Sequence, residues 1–206
     1  TSSAIATTTG TLTKDGAGTL TLNIINSYTG LTTVIAGTFL YGTAGVISSG
    51  PLTVSGGTFN LSGNTDTVGA VTLTSGTITN GGAGSLTGTS YAVESGTISA
   101  ILGGAVTMTK STTGTVTITS TNTYTGATAV NEGVLNIRNY KATGSTAGGV
   151  TVASGAALQL QGTIAVGVEA LTLNGTGISS DGALRNISEN NSWSGAITLG
   201  AATRIN

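Results

Sequence analysis

The seven acidic side chains of this chain are its most obvious candidates for catalysis: Asp15, Asp66, Asp181, Glu94, Glu132, Glu169 and Glu189. Two carboxyl groups held roughly 5 to 9.5 Å apart can hydrolyse a glycosidic bond. Glu94 and Glu132 are the best-spaced pair, because the periodicity described below puts them two turns of chain, or about 10 Å, apart. That separation is wide for a retaining glycosidase and marginal for an inverting one. We therefore expect the carboxylates to be solvated surface groups.

Nucleophilic and metal chemistry have even less support. Serine is abundant, but the chain has no histidine, so Lys14 or Lys110 would have to act as the base. Both lysines occupy the same position of a repeat, which favours a structural role. Residues 81–84 (GGAG) resemble a calcium-binding nonapeptide but lack the aspartate that would bind the ion. We expect no catalytic residue, no cofactor-binding residue and no metal ligand.

Three aromatic residues, Tyr28, Tyr124 and Trp193, could stack on a sugar ring. Each stands two residues before a glycine. The prediction we favour is that each ring covers one corner of the core and turns its polar tip to solvent. Four glycosylation sequons are expected by chance in a chain so rich in Asn and Thr, and they begin at Asn60, Asn174, Asn186 and Asn190.

The composition is that of a strand-forming chain with few charges. Charged residues make up 6% of the 206 residues, against about 25% in an ordinary soluble domain. The net charge of −1 argues against nucleic acid as a partner, because phosphate binding needs clustered cations. No apolar run is long enough to cross a bilayer as a helix. With no initial Met and no signal-like segment, we expect a mature product or a piece of a longer protein.

Glycines at a regular spacing set the architecture. Successive marker glycines are 18 to 22 residues apart, and the markers are Gly18, Gly37, Gly57, Gly76, Gly96, Gly114, Gly133, Gly155 and Gly175. An apolar residue usually stands three before the glycine and another two after it. These two positions are five apart, so on a flat strand they would face opposite sides. A bend at the glycine lets both face one core.

A turn of about twenty residues, bent at a fixed glycine and stacked on similar turns, predicts an all-β, right-handed parallel β-solenoid of about ten rungs of 19–20 residues. The competing fold is an antiparallel sandwich or barrel, which does not predict one constant phase. One buried ladder is predicted from Leu20, Phe39, Phe59, Ile78, Ile98, Val116 and Leu135. A second is predicted from Val34, Val54, Leu73, Val93 and Val130, with Asp15 and Ser111 as exceptions at that position.

Residues 12–41 recur as residues 108–137, shifted by 96. The first copy reads LTKDGAGTLTL and continues with NSYTG from Asn26, and the second reads MTKSTTGTVTI and continues with NTYTG from Asn122. These segments resemble the passenger-associated transport repeat, also called the autotransporter-associated β-strand repeat. The second copy departs from it in having Thr112 and Val116 where the motif has Gly and Leu. The segment NSWSGAI from Asn191 is similar to a third copy.

The resemblance implies a secreted or surface-attached bacterial β-solenoid and names no activity. We expect residues 1–206 to form a single solenoid domain, with Arg138–Asn139–Tyr140–Lys141 as a protruding loop. It is expected to be a segment of a longer protein or a filament subunit. Its ends carry few charges and no cap, so partners are expected at the ends: further rungs of the same protein or a second copy. Surface glycans, or a host or neighbour cell surface, are further candidate partners.

The function expected from these features is a non-catalytic, extracellular structural or adhesive solenoid of a fibre, filament or autotransporter-like passenger. The alternative is an ice-binding solenoid with a threonine-rich face. Against it, threonine pairs do not all stand at the same distance along the chain from the marker glycine. The pairs are Thr19/Thr21, Thr72/Thr74 and Thr117/Thr119, and the second precedes its glycine while the others follow theirs. No unbroken threonine face is therefore expected. A polysaccharide-acting enzyme ranks third.

Overall fold

The structure, a computed structural model, describes residues 3–6 and 9–206. Residues 1, 2, 7 and 8, part of the N-terminal stretch expected to form a bare end, lie outside the described residues. The first ten strands are β1 (Leu12–Lys14), β2 (Thr19–Leu22), β3 (Thr32–Val34), β4 (Thr38–Tyr41), β5 (Leu52–Asn60), β6 (Asp66–Thr67), β7 (Ala70–Thr79), β8 (Ser85–Thr87), β9 (Ser90–Val93) and β10 (Gly96–Ile98).

Ten more strands follow, and the described residues include one short 3₁₀ segment, Ile178–Ser180, but no α-helix. These strands are β11 (Ile101–Gly103), β12 (Met108–Ile118), β13 (Thr128–Ile137), β14 (Val150–Val152), β15 (Ala157–Gln161), β16 (Ala165–Val166), β17 (Leu171–Leu173), β18 (Leu184–Ser188), β19 (Ser192–Trp193) and β20 (Ile197–Leu199). Nowhere in the described ranges is there a helix of the length and hydropathy needed to span a membrane.

The first face of the molecule is a stack of parallel strands that belong to successive turns. In the described part of the chain they are β1, β3, β5, β7, β9, β12, β13, β14, β17 and β20. A step is usually about one repeat, as from Val34 to Val54, but it shortens to 17 residues from Val93 to Lys110. The ten strands of this face are separated by nine steps along the stack. The predicted all-β parallel solenoid is confirmed, while its hand stays a prediction.

The second face stacks in the same way, and the expected bend separates the two faces. Strands β5, β7, β12 and β13 each run across both faces. The pairing of β5 with β7 shifts between Val54 and Thr58, and that of β12 with β13 shifts between Lys110 and Thr115. Such β-bulges let apolar residues on both sides of the bend face one core.

The first-face ladder is confirmed. Val34, Val54, Leu73, Val93 and Val130 stack in register and are at most 1% exposed. The predicted exceptions were wrong by one residue, because the register places Lys14 below Val34 and Lys110 between Val93 and Val130. Two lysines therefore occupy positions that are otherwise aliphatic.

The second-face ladder is confirmed as far as Ile98 and is wrong at the next step. Leu20, Phe39, Phe59, Ile78 and Ile98 are paired in sequence, although Leu20 is only partly buried. Ile98 then pairs with Ile118 and not with the predicted Val116.

The physical reason for this shift is the length of the bend. Val93 and Ile98 are five residues apart, whereas their partners Lys110 and Ile118 are eight apart. Val116 pairs with Leu135 instead and is fully buried. Val116 and Ile118 differ by two, so both still face the core.

Candidate functional site

The residues singled out for chemistry do not converge on a cleft. The described part of the chain has no cavity and no group of three or more Asp and Glu residues that could hold a metal ion. Asp15 and Glu132 are exposed and Glu94 is half-buried, as expected for solvated carboxylates. In the loop of residues 81–84, the Asn80 side-chain amide donates to the Gly84 carbonyl at 2.5 Å, so that amide closes the turn.

Lys14 and Lys110 are the first residues of the repeat whose role the structure explains. The Lys14 ammonium donates to the carbonyl oxygens of Asp15 (2.8 Å), Gly16 (2.7 Å) and Ala36 (3.0 Å). Lys110 donates to the equivalent carbonyls of Thr112 and Glu132. Burial lowers the pKa of Lys110, and the nearby carboxylates of Glu132 and Glu94 partly offset this. Each lysine therefore satisfies carbonyls that the bulge leaves without strand partners.

Replacing Lys110 with Met tests this role. Met has a similar length and suits an apolar ladder, but it leaves the Thr112 and Glu132 carbonyls without their donor. We expect the free energy of unfolding to fall by about 1–2 kcal/mol. Lys141→Met removes the same charge from an exposed site and should change stability by less than about 0.5 kcal/mol. Denaturant titration of both variants is the measurement, and equal losses would contradict a specific role for Lys110.

The asparagine of the repeat joins three successive turns. The Asn122 side chain accepts a hydrogen bond from the Leu102 amide at 2.9 Å and donates to the Ala142 carbonyl at 2.7 Å. In the first copy, Asn26 accepts from the Ile5 amide at 2.8 Å and donates to Val46 at 2.6 Å. Both side chains are buried, and neither asparagine lies in a strand, so they continue the backbone hydrogen-bond ladder through a corner of the solenoid.

The tyrosines of the repeat are core residues. Tyr28 and Tyr124 are at most 1% exposed. Their hydroxyls hydrogen-bond the hydroxyls of Thr32 (2.8 Å) and Thr128 (2.6 Å), four residues further along. The rings cover the core as predicted, but the prediction that their polar tips reach solvent was wrong, because a buried threonine satisfies each tip. They are not available to stack on a sugar.

The glycines of the repeat allow close contact between turns. A Cβ on Gly126 would overlap the Val106 carbonyl of the preceding turn, and one on Gly133 would overlap the Thr112 carbonyl. Gly133 also has φ +69°, a left-handed conformation that glycine adopts without strain. The equivalent residues of the first copy, Gly30 and Gly37, meet the preceding turn in the same way.

The segment that begins at Asn191 makes contacts equivalent to those of the two repeats. The Asn191 side chain accepts from the Ile164 amide at 2.8 Å. Trp193 is half-buried, and its indole N–H donates to the Glu169 carbonyl at 2.8 Å. A Cβ on Gly195 would overlap that same carbonyl. The third copy predicted from the sequence therefore has a structural counterpart.

Two carboxylates contradict the expectation of solvated acids. Asp66 is 8% exposed and accepts from the Tyr41 hydroxyl at 2.7 Å, and burial raises its pKa. Glu169 is 1% exposed, and its Oε2 accepts from the Thr143 hydroxyl at 2.6 Å. Its Oε1 is buried with no hydrogen-bond partner among the described residues. Burial raises the pKa of Glu169 to about 7.

Sequence reasoning missed both buried acids because their partners are remote in sequence. Tyr41 precedes Asp66 by 25 residues, and Thr143 precedes Glu169 by 26. Neither interval equals the repeat, and one aspartate or glutamate on its own gives no signal of burial. A useful signal would have been the flanking apolar residues, such as Val166 and Leu171, which are buried.

Comparison with known proteins points to the same residues. The model of the passenger-associated-transport-repeat family matches residues 12–40 and 108–137. No curated protein and no solved structure matches the chain. The lysine, asparagine, tyrosine and glycines described above all lie within the matched segments. Two segments of the chain, one in its first turns and one built on β12 and β13, are thus similar to the passenger-associated-transport-repeat.

Proposed function

We propose that this chain is a non-catalytic structural segment of a secreted or cell-surface protein of the autotransporter passenger type. The observation that carries the proposal is the use of the repeat residues. The amine of Lys110, the amide of Asn122 and the hydroxyl of Tyr124 are buried and bonded within the solenoid. These bonds lie inside the solenoid and hold one turn on the next. The residues of the repeat therefore stabilise the stacking of turns into a rod.

Surface labelling of the cells that produce the protein tests this proposal. An antibody against the chain should stain intact cells or be recovered with the secreted fraction. Small-angle scattering of the purified chain should show an elongated particle, because the nine steps between ten stacked strands span about 43 Å at 4.8 Å per step. A purely cytoplasmic pool, or a spherical particle, would contradict the proposal.

Growth at the end of the solenoid is the partner interaction that the structure supports. Leu171 and Leu173 of β17 are buried, but Ile197 and Leu199, their partners in β20, are 39% and 59% exposed. A further turn stacked on β20 would bury both side chains and pair the strand edge. We propose that this turn comes either from further rungs of the same protein or from a second copy of the chain, head to tail. Electron microscopy should then show fibres, whereas a stable monomer at all concentrations would contradict self-association.

A threonine row gives the ice-binding alternative a specific observation in its favour. The central, outward residue is threonine in eight of the ten first-face strands: Thr13, Thr33, Thr53, Thr72, Thr109, Thr151, Thr172 and Thr198, with Ala92 and Ala129 in the gaps. The row is interrupted at Ala92 and Ala129, so it is not an unbroken threonine face, but its threonines are better aligned than their positions relative to the marker glycine suggested. The number of residues per turn varies, so the distance of a threonine from the marker glycine does not show which threonines are stacked on each other. Hydroxyls repeat at about 4.8 Å along this row.

Thermal hysteresis and ice-crystal shape measure this alternative directly. Ice binding predicts hysteresis that falls when Thr53 and Thr72 are replaced by lysine, which projects a charge from the middle of the row. The same replacement at exposed Thr65, outside the row, is the matched control. Hysteresis at the level of an inert protein would exclude ice binding and would leave the structural role intact.

A further inference from the structure

We propose that the surface formed by Arg138, Tyr140, Lys141, Gln159 and Gln161 binds an acidic polysaccharide. We call these five residues the basic amide patch. The proposal goes beyond the structural role given above and does not depend on it, because a rod can form with or without this surface.

The distribution of cations is the first observation. The chain has six basic residues. Lys14 and Lys110 are buried within the bulges. The other four, Arg138, Lys141, Arg185 and Arg204, all lie in the C-terminal third of the chain. Arg185 forms an ion pair with Asp181, whereas Arg138 and Lys141 have no ion pair within the described residues. The loop therefore concentrates positive charge on an almost uncharged molecule.

The exposed aromatic ring is the second observation. The chain has five tyrosines, and Tyr28, Tyr41, Tyr91 and Tyr124 are at most 2% exposed. Tyr140 is 50% exposed and lies between the two cations of the loop, and the Lys141 ammonium is 5.9 Å from its ring centroid. An exposed tyrosine gives a rigid, amphipathic contact surface at low entropic cost. A pyranose ring can lie against such a face while the ammonium meets an acidic substituent.

A change in side-chain chemistry along the second face is the third observation. The outward row there is threonine over six successive turns, from Thr19 to Thr117. It continues through Asn136, Gln159 and Arg185. The row therefore changes from hydroxyls to longer hydrogen-bonding groups in the same turns that carry the loop.

These longer groups hold one another in position. The Asn136 amide donates to Gln159 (3.1 Å) and Gln161 (3.3 Å), and Arg138 Nε donates to Asn136 Oδ1 at 2.9 Å. Arg138 uses one of its five N–H donors in this bond, and the other four remain on the exposed guanidinium. Such preorganisation lowers the entropic cost of binding.

An acidic polysaccharide is the ligand class that fits this chemistry. Carboxylates or sulfates on the sugars match the arginine fork, hydroxyls match the amides of Gln159 and Gln161, and one ring face matches Tyr140. Successive turns place equivalent groups about 4.8 Å apart, so an extended polymer can follow the axis. Nucleic acid is disfavoured because neutralising many phosphates needs more cations than this patch provides.

Affinity electrophoresis of the purified chain tests the proposal, with polygalacturonate in one gel and neutral dextran in another. The chain should be retarded by the acidic polymer only. Arg138→Gln should weaken the apparent affinity by about tenfold, the equivalent of about 1.4 kcal/mol. Arg204→Gln removes the same charge outside the patch and should leave the retardation unchanged. Tyr140→Ala should weaken binding severalfold, and Tyr140→Phe should keep it.

Several outcomes would overturn the proposal. The first is retardation by neutral dextran to the same extent. The second is an equal loss in the Arg138 and Arg204 variants, which would indicate unspecific charge attraction. The third is binding to a DNA oligonucleotide or to phosphatidylglycerol vesicles as tight as that to polygalacturonate at the same salt concentration. Unchanged circular dichroism and melting temperature in each variant establish that the patch, and not the fold, has been altered.

Discussion

Replacing Ile78 with aspartate is expected to unfold the central turns of the solenoid. Ile78 is fully buried between Phe59 and Ile98 of the adjacent turns. The substitution removes the packing of an isoleucine, worth about 2–5 kcal/mol, and buries a carboxylate between the apolar side chains of Phe59 and Ile98. The sum is comparable with the total stability of a typical domain, about 5–15 kcal/mol.

The control for this prediction is Thr77→Asp. Thr77 is the adjacent residue on the same strand, faces outward between Thr58 and Thr97 on the second face and is half-buried. The same charge at this position should change stability by less than about 1 kcal/mol. Far-ultraviolet circular dichroism and urea titration compare the two variants. If Ile78→Asp were as stable as Thr77→Asp, the core assignment of the second face would be wrong.

Raising the pH from about 4.5 to 7 is expected to destabilise the C-terminal turns through Glu169. Its pKa rises from 4.5 to about 7 in the folded chain, mainly because the carboxyl is buried, while its bond to Thr143 opposes the rise. The folded chain thus holds the proton more tightly than the unfolded chain. Stability from this group is complete below the unfolded pKa and is lost as the pH rises through the folded one.

The size of this loss is at most about 3.5 kcal/mol, because the pKa rises from 4.5 to about 7 and each unit of pKa is worth about 1.4 kcal/mol, less any screening by solvent. Asp66 has a raised pKa as well and contributes in the same direction. Lys110 has a lowered pKa because it is buried, so its contribution has the opposite sign and is lost as the pH falls.

The variant that isolates this effect is Glu169→Gln, which keeps the shape of the side chain and removes its charge. It should flatten most of the dependence of unfolding free energy on pH between 4.5 and 7, and at pH 8 it should be more stable than the parent. Glu132→Gln changes an exposed glutamate and should retain the parent slope. A Glu169→Gln profile parallel to that of the parent would show that Glu169 is not the titrating group.

The fold followed from the sequence because each turn repeats the same local chemistry. The glycine bend fixes the phase, so Val34 and Val54 or Phe39 and Phe59 could be aligned by counting. Counting failed where the bend changes length, as at Ile98, which pairs with Ile118. Counting from the marker glycine also failed to align the threonine row, because the steps between first-face strands range from 17 residues (Val93 to Lys110) to 26 (Leu173 to Leu199).

The candidate sites were less predictable than the fold. The structural role of Lys14 and Lys110 followed from their equal phase, since a catalytic base has no need to recur. The burial of Asp66 and Glu169 depends on partners that lie off the repeat, at Tyr41 and Thr143. The loop at Arg138 was expected to protrude, and Arg138, Tyr140 and Lys141 are exposed. The hydrogen bond from Arg138 to Asn136, and that from Asn136 to Gln159, could not be predicted without knowing the register between the strands.

The central claim is that successive segments of about twenty residues stack in parallel along one axis. Spin labels attached to cysteines introduced in the threonine row test it most directly, because the chain has no cysteine of its own. Thr33 paired in turn with Thr109, Thr151 and Thr172 spans four, six and seven steps of the first face.

Dipolar electron resonance should then give distances that rise linearly, about 19, 29 and 34 Å at 4.8 Å per step. The label linkers broaden each distribution and leave the increments unchanged. Distances that fail to rise with the number of steps, as in a sandwich whose strands return to the same level, would contradict the parallel solenoid and every assignment built on its register.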